Sequence, residues 1–388
     1  MPAETIRFPG AQGAQLAARL DTPVGSPRAF ALFAHCFTCS KESKAAAHIS
    51  QALAGHGIAT LRFDFSSLEF ASNVEDLVAA AAWLRGHRSA PQVLVGHSLG
   101  GAAVLAAAPR IPEARAVATI AAPFDPAHVA HLVSVTKENS TDVEVSIAGR
   151  PFRVKKSFFE DLAARNSAET IAALRKPLLV LHSPRDTVVD IDNASKIFLA
   201  AKHPKSFVSL DRADHLLTQH EDARYVAAML AAWASRYLEQ ERIAGAAVPG
   251  VHVAEAGEGR FAQLISAGRH RLRADEPEAV GGDDSGPGPY ELLLAALGAC
   301  TSMTVRMYAG QKKWPLERVS VELRHDKVHA TDCAECETRE GKIDRIERVL
   351  TLEGKLDEAQ RARLLEIANK CPVHRTLHSE VWIATSLR

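Results

Sequence analysis

The chain carries no excess charge of either sign: Lys plus Arg and Asp plus Glu number 46 each, for a formal net charge of 0. Without a global field there is nothing to draw in a polyanion, so neither nucleic acid nor an anionic membrane surface is an expected partner. Long apolar runs are missing too. Stretches such as Leu77 to Leu84 and Leu292 to Ala299 fall well short of the roughly 18 residues that read as a membrane helix, so no bilayer span is expected. The opening MPAETIRFPGAQ has an acid and polar groups where a secretory leader needs a basic start and an apolar core, and the cytoplasm is the expected compartment. Cysteine is scarce, with six in 388 residues, too few for a disulfide scaffold in a chain of this length. Buried thiols, reactive thiols or metal ligands are what remain, so the positions of the cysteines matter more than their number. Internal repeats and low-complexity tracts are absent apart from Ala-rich helices.

What is present is enough sequence for at least two hydrophobic cores, with 47% hydrophobic and 24% charged residues, the balance of ordinary globular domains. From residue 1 to about 242, short β-rich runs alternate with helical periods, which predicts an α/β domain built on a mostly parallel sheet with helices on both faces. The buried strands are read at Ala29 to Ala34, Ile58 to Phe63, Gln92 to Val95, Ala116 to Ala121, Leu178 to His182 and Ser206 to Leu210. The clearest helix is predicted at Ser72 to His87, with Ser72 as its cap and Val74, Leu77, Val78, Ala81 and Leu84 on one face. Residues of about 126–174 break the alternation around an expected hairpin at Val143 to Val154, and this segment is read as a lid-like insert. The Ala, Gly and Pro rich segment 243–252 is read as a linker. From 253 to 388 the elements are grouped rather than alternating: strands at Phe261 to Ile265 and His270 to Ala274, a helix from Tyr290 to about Ala309, strands at Arg318 to Leu323 and Ile343 to Leu352, a helix at Asp357 to Lys370, and a last strand near Val381 to Ser386. Grouping of this kind predicts an α+β domain.

Gly96-His97-Ser98-Leu99-Gly100 is a G-x-S-x-G segment placed between the apolar strand VLV and the helical run AAVLAAA. A serine at such a strand-to-helix turn is projected above the sheet. It becomes a nucleophile at neutral pH when a histidine takes its proton and an acid fixes that histidine's tautomer. Asp186 follows the strand PLLVLHS and His215 follows the strand SFVSL, so Ser98, Asp186 and His215 occur in that order, the last two after further strands. Asp190 and Asp192 are alternatives to Asp186 but suit helix capping better. His97 and His182 are read as packing or pocket-lining groups. With these motifs, residues 1 to about 240 resemble the α/β-hydrolase family. The resemblance implies an ester-cleaving serine hydrolase, of carboxylesterase or thioesterase type, with an oxyanion hole from the amides of Leu99 and Cys36. The sequence departs from the family in carrying His35-Cys36 in place of His-Gly and a short SSLEF loop after Phe65.

The second half holds a helix, PYELLLAALGACTSMTVRMYAG, that is apolar nearly all round and is therefore expected in a core. Cys300 lies within it, and Cys371 follows a later helix in Cys371-Pro372-Val373-His374-Arg375. Free thiols at such places are usually small core hydrophobes. The A-L-G-A-C helix and the C-P-V-H-R segment nevertheless resemble the OsmC/Ohr family over the whole second domain. The resemblance implies a peroxiredoxin-like organic hydroperoxide reductase in which Cys300 is oxidised and Cys371 resolves it, served by a dithiol reductant. It also implies support from an arginine and a glutamate, for which Arg260, Arg269 and Glu291 are the candidates, and a homodimer formed through this domain. A role in oxidative stress or lipid metabolism would follow.

A third cluster, His325, His329, Cys333 and Cys336, puts two imidazoles and two thiols into twelve residues. Zinc takes such ligands, but four of them would have to converge from one short loop, so no metal is assigned and these four are the candidates should one be held. No cofactor is needed for either chemistry. The rival reading, of a different class, is an acyl-ligand or lipid-binding protein with one or both domains catalytically silent.

Overall fold

A computed structural model describes residues 3–10, 13–35, 41, 43–67, 69–124, 133–134, 142–147, 150–155, 168–238, 250–257, 259–268, 270–332 and 340–387. The chain divides into two compact units, Met1–Gly257 with Gln263–Leu272, and Glu258–Ala262 with Arg273–Arg388.

The first unit is built on eight strands: β1 (Ala3–Pro9), β2 (Gln15–Asp21), β3 (Ala29–Ala34), β4 (Ile58–Phe63), β5 (Val93–His97), β6 (Ala116–Ile120), β10 (Leu178–His182) and β11 (Lys205–Ser209). Their order is β1-β2-β4-β3-β5-β6-β10-β11. The first two join antiparallel, and every pairing from β4 to β11 is parallel. A parallel strand covered on both faces needs apolar residues at both alternations. In β3, Phe30, Leu32 and Ala34 enter one core with Phe63, Phe70 and Leu77, while Ala29, Ala31 and Phe33 enter the opposite core with Ile49, Val95 and Leu230. The first face is covered by α2 (Phe70–His87), α3 (Leu99–Ala107) and α5 (Asp192–Ala200), and the second by α1 (Lys44–Gly55) and α6 (His220–Ala234). The short α4 (Ala168–Ala172) packs on α5. A three-stranded antiparallel sheet of β7 (Val133–Ser134), β8 (Asp142–Ile147) and β9 (Arg150–Lys155) occupies the insert, and β8 and β9 pair at the hairpin the sequence predicts. Most of the remaining insert lies outside the described residues.

One helix start differs from the reading above. α2 begins at Phe70 with Glu69 at its cap position, and Ser72 is a buried residue inside the first turn. The Ser72 hydroxyl is used elsewhere: it lies 3.0 Å from the Ser66 hydroxyl, and Ser66 donates both its amide (2.8 Å) and its hydroxyl (2.7 Å) to Asp76. The short loop after β4 is thereby tied to the helix it feeds.

Strands β12 (Val251–Glu255), β13 (Gln263–Ala267) and β14 (His270–Ala274) form an antiparallel ribbon. Within the first unit, Arg271 of β14 donates to the Ser26 carbonyl at 2.6 Å and to the Ser266 hydroxyl at 2.8 Å. The second unit holds the 23-residue α7 (Pro289–Gln311), the long antiparallel hairpin β15 (Leu316–His329) and β16 (Lys342–Gly354), then α8 (Glu358–Ala368) and α9 (Pro372–Leu377). α7 packs against β15, α8 and α9 around Val305, Ala309, Leu316, Leu364 and Ala368. Asp357 and Gln360 close a reciprocal capping box on α8.

Two expectations for this unit change. The all-round apolar α7 is not enclosed: Leu293, Met303 and Met307 are exposed, with Met307 at 65%. By length and composition α7 is also apolar enough to cross a membrane, which uninterrupted runs failed to reveal because Gly, Cys, Ser and Thr are scattered through it. The strand expected near Val381 to Ser386 is not formed. Residues 380–387 have no regular structure, and Trp382 is 92% exposed. A β-rich segment with no strand beside it has nothing to satisfy its backbone groups except water.

Candidate active sites

Ser98, Asp186 and His215 follow β5, β10 and β11, three parallel strands whose carboxyl ends lie at one edge of the sheet, where open α/β folds place their sites. Ser98 has φ 55° and ψ −125°, a left-handed conformation that β5 and α3 on either side enforce. The turn is tight enough that its glycines are required sterically. A Cβ on Gly96 would lie 2.2 Å from the Gly100 carbonyl oxygen, and one on Gly100 would lie 2.3 Å from the Ala34 oxygen, with backbone on both sides.

The structure brings the three residues together. His215 Nε2 lies 2.9 Å from Ser98 Oγ, and His215 Nδ1 lies 2.8 Å from Asp186 Oδ2. A carboxylate only accepts, so Nδ1 carries the hydrogen, and Nε2 is left with the lone pair that accepts the Ser98 hydroxyl proton. Asp186 Oδ1 accepts the amides of Val188 (2.8 Å) and Val189 (2.9 Å). Burial disfavours the Asp186 charge, but the His215 hydrogen bond and these amides outweigh it and hold the carboxyl below the usual aspartate range. Asp190 instead accepts the Asp192 amide at 2.8 Å just ahead of α5, whose cap position is Ile191 and carries no side-chain cap.

Two further histidines surround the triad, and both are kept neutral. Burial, reinforced by the neighbouring His215, pushes His97 down to about 4, and burial also lowers His182. A neutral ring that donates from Nε2 suits both: His97 reaches the His215 carbonyl at 2.7 Å and His182 reaches the Val189 carbonyl at 2.8 Å. His97 therefore fixes the backbone of the triad histidine and His182 the loop that carries Asp186. Leu99 supplies the first amide of α3, which by position has no acceptor within the helix and is available to an oxyanion. Cys36 lies outside the described residues.

In the second unit, Cys300 on α7 and Cys371 at the start of α9 are neighbours: both thiols are free, and Cys300 is among the groups that lower the Cys371 thiol. Cys371 is fully buried and Cys300 partly so. The Cys371 sulfur accepts the His374 amide at 3.3 Å and lies 3.6 Å from the Thr301 hydroxyl. Burial opposes ionisation, yet these hydrogen bonds, the neighbouring Cys300 and the charge of Arg348 hold the Cys371 thiol below its ordinary range. Arg348 of β16 is the residue sequence reasoning missed. Nothing local marks it, because its partners Thr301 and Asn369 are 47 and 21 residues away.

Of the residues expected to support the cysteines, Glu291 and Arg260 make contacts of their own. Glu291 accepts the Gly288 amide at 2.8 Å and so caps α7, more than two turns before Cys300, because a glutamate at the third helical position reaches the cap. Arg260 stacks over the Phe261 ring at 4.9 Å. Arg269 lies outside the described residues, as do Cys333 and Cys336. His325 is held by Asp344 at 2.8 Å and stacks on Tyr290 at 4.2 Å, and His329 pairs with Lys342 across the β15–β16 ladder. Among the described residues no group of three or more His, Cys, Asp or Glu side chains is arranged to hold a metal. A groove of about 500 Å³ lies along α7 and β15, lined by Glu291, Leu294, Gly298, Ser302, Val321 and Leu323 among others, and Cys300 is not in its lining.

Sheet order, left-handed serine and triad together define the first unit as an α/β-hydrolase-type domain. The chain belongs to the Alpha/beta hydrolase family, whose profile matches residues 31–280, and residues 282–386 match the profile of OsmC-like protein, so the two are fused in one polypeptide. Among solved structures, the esterase domain of a Rhodothermus marinus protein is 53% identical, covering 61% of this chain and 100% of that one, with a TM-score of 0.55. Est1E from Butyrivibrio proteoclasticus is 17% identical, over 60% of this chain and 98% of that one, with a TM-score of 0.52, and shares the fold. No curated protein matches the chain.

Proposed function

We propose that the first unit is a serine carboxylesterase or thioesterase and the second a cysteine-based reductase of organic hydroperoxides. The observation that carries the first assignment is the continuous chain from Ser98 Oγ through His215 to Asp186, with bonds of 2.9 and 2.8 Å, on a serine held at positive φ. Ser98 Oγ attacks the ester carbonyl while His215 Nε2 takes its proton. Asp186 holds the ring and balances the imidazolium, and the Leu99 amide receives charge developing on the carbonyl oxygen. His215 then returns the proton to the leaving alcohol or thiol. Water, deprotonated by the same nitrogen, releases the acid. The 53%-identical relative, titled an esterase domain, supports the same bond class.

The paired thiols of Cys300 and Cys371, with Cys300 the more accessible, support the second assignment. The exposed apolar row of Leu293, Met303 and Met307 on α7, with Val381, Trp382 and Ile383 in the tail, supports association of two chains through this unit. Oxidative stress or lipid metabolism in the cytoplasm is the setting this pairing of activities suits. Hydrolysis of p-nitrophenyl acetate and butyrate, and loss of cumene hydroperoxide with dithiothreitol, test the two halves in one preparation. Turnover in neither assay, with either ligand class still bound, would establish the binding-protein reading instead.

A further inference from the structure

The thiol-bearing corner of the second unit is more elaborate than a cysteine pair requires. Arg348 Nη1 donates to Thr301 Oγ1 at 2.9 Å, while Nη2 reaches Asn369 Oδ1 at 2.5 Å and Nη1 also reaches the Ala368 carbonyl at 3.3 Å. One guanidinium therefore ties β16 to α7 and to the end of α8. The donation to Thr301 has a directional consequence. A hydroxyl oxygen that accepts from arginine keeps its own hydrogen for another acceptor, and the neighbour within reach is Cys371 Sγ at 3.6 Å. The same sulfur already accepts the His374 amide at 3.3 Å. Two donors converge on one buried sulfur, and a cation lies behind one of them. A neutral thiol is a weak acceptor that gains little from two donors, whereas a thiolate is stabilised by each.

We propose that Arg348 and Thr301 are positioning residues that hold Cys371 as the resting thiolate of the pair, poised to attack Cys300 once Cys300 is oxidised. The inference rests on the hydroperoxide-reductase reading for its chemical step. In that step an organic hydroperoxide ROOH transfers its terminal oxygen to the Cys300 sulfur: the O–O bond breaks, ROH leaves and Cys300 becomes a sulfenic acid. The Cys371 thiolate then attacks the Cys300 sulfur, forming the S–S bond and breaking the S–O bond. The departing hydroxide takes a proton to become water, and an external dithiol restores both thiols by exchange. The groups facing Cys371 are Cys300 and Thr301 from α7, Arg348 from β16 and His374 from its own helix, and no carboxylate is among those that shift it. His374 is itself kept neutral by burial and by Arg348, so it adds an amide hydrogen bond and no charge.

The test measures iodoacetamide alkylation of Cys371 against pH by peptide mass spectrometry in the full chain carrying Cys300→Ser. Adding Arg348→Met is expected to move the alkylation midpoint up by about 1 pH unit and slow alkylation about tenfold near neutrality. Arg348→Lys should recover part of the shift, and Thr301→Val should move it in the same direction as Arg348→Met. Circular dichroism checks the fold, and Thr301→Val serves if Arg348→Met does not fold. In the chain with both cysteines, one equivalent of cumene hydroperoxide should leave Arg348→Met with more dimedone-trapped Cys300 and less Cys300–Cys371 disulfide than the parent. A midpoint unmoved in every variant overturns the relay. An alkylation shift as expected, with no Cys300 sulfenic acid in the parent chain, overturns the peroxidase reading and leaves the thiolate relay standing, since alkylation uses no peroxide.

Discussion

Replacing His97 by glutamine isolates one consequence of burying a histidine beside the triad. The side-chain amide introduced by His97→Gln can reproduce the donation to the His215 carbonyl now made at 2.7 Å, but it cannot titrate. In the unfolded chain His97 binds a proton at about 6.5, whereas burial holds it down to about 4 in the folded protein. Between those values the unfolded state binds more protons, so stability rises with pH and is lost on acidification. At about 1.4 kcal/mol per unit, the gap corresponds to roughly 3 kcal/mol in full, of which about 2 kcal/mol disappears between pH 7 and pH 5. Urea unfolding of the first unit, followed by tryptophan fluorescence at pH 7, 6 and 5, measures this directly. His182 is lowered in the same sense, so the variant should keep some slope. The wild type should nevertheless lose about 2 kcal/mol more than His97→Gln over that range. Parallel losses in the two proteins would refute the claim that His97 is buried and neutral.

Three further outcomes follow from the same geometry. Asp186→Asn, which keeps the shape but reverses the hydrogen bond that sets the His215 tautomer, should lower ester kcat by roughly 10³- to 10⁴-fold with little change in KM, as steady-state kinetics will show. Gly100→Ala would place a Cβ 2.3 Å from the Ala34 oxygen, an overpacking of about 1–3 kcal/mol, and should lower the melting temperature of the first unit by roughly 2 to 12 °C in calorimetry. Cys371→Ser should allow one round of peroxide reduction and leave Cys300 reactive to dimedone, read by mass spectrometry, and a second turnover in that variant would exclude Cys371 as the resolving thiol.

The first unit is legible because parallel strands write themselves as short continuous apolar runs. Ala29–Ala34, Ile58–Phe63 and Leu178–His182 are the residues predicted. The triad residues are equally readable, since Ser98 carries a local motif directly after β5 and Asp186 and His215 stand in the loops that follow β10 and β11. Features that depend on contacts distant in sequence are not. Ser72 looks like a cap until Ser66 and Asp76 are seen to engage its turn, and Arg348 acquires meaning only when β16 lays it against Thr301 and Asn369. Glu291 shows the opposite case: its bond to the Gly288 amide is local and follows from its place at the third helical position. The all-round apolar character of α7 predicts a core helix, and the structure buries only part of it. That character cannot say whether the cover comes from the same chain, and here Met303, Met307 and the 380–387 tail are left exposed.

Ser98 acting as an activated nucleophile is the central chemical property of the first unit. Incubation of the full-length protein with a fluorophosphonate probe, followed by peptide mass spectrometry and assay on p-nitrophenyl butyrate, tests it most directly. The expected result is a single modified serine, Ser98, stoichiometric loss of ester hydrolysis, and a Ser98→Ala variant that is folded, unlabelled and slower by about 10³-fold or more. Labelling at another serine, or hydrolysis undiminished in Ser98→Ala, would contradict it.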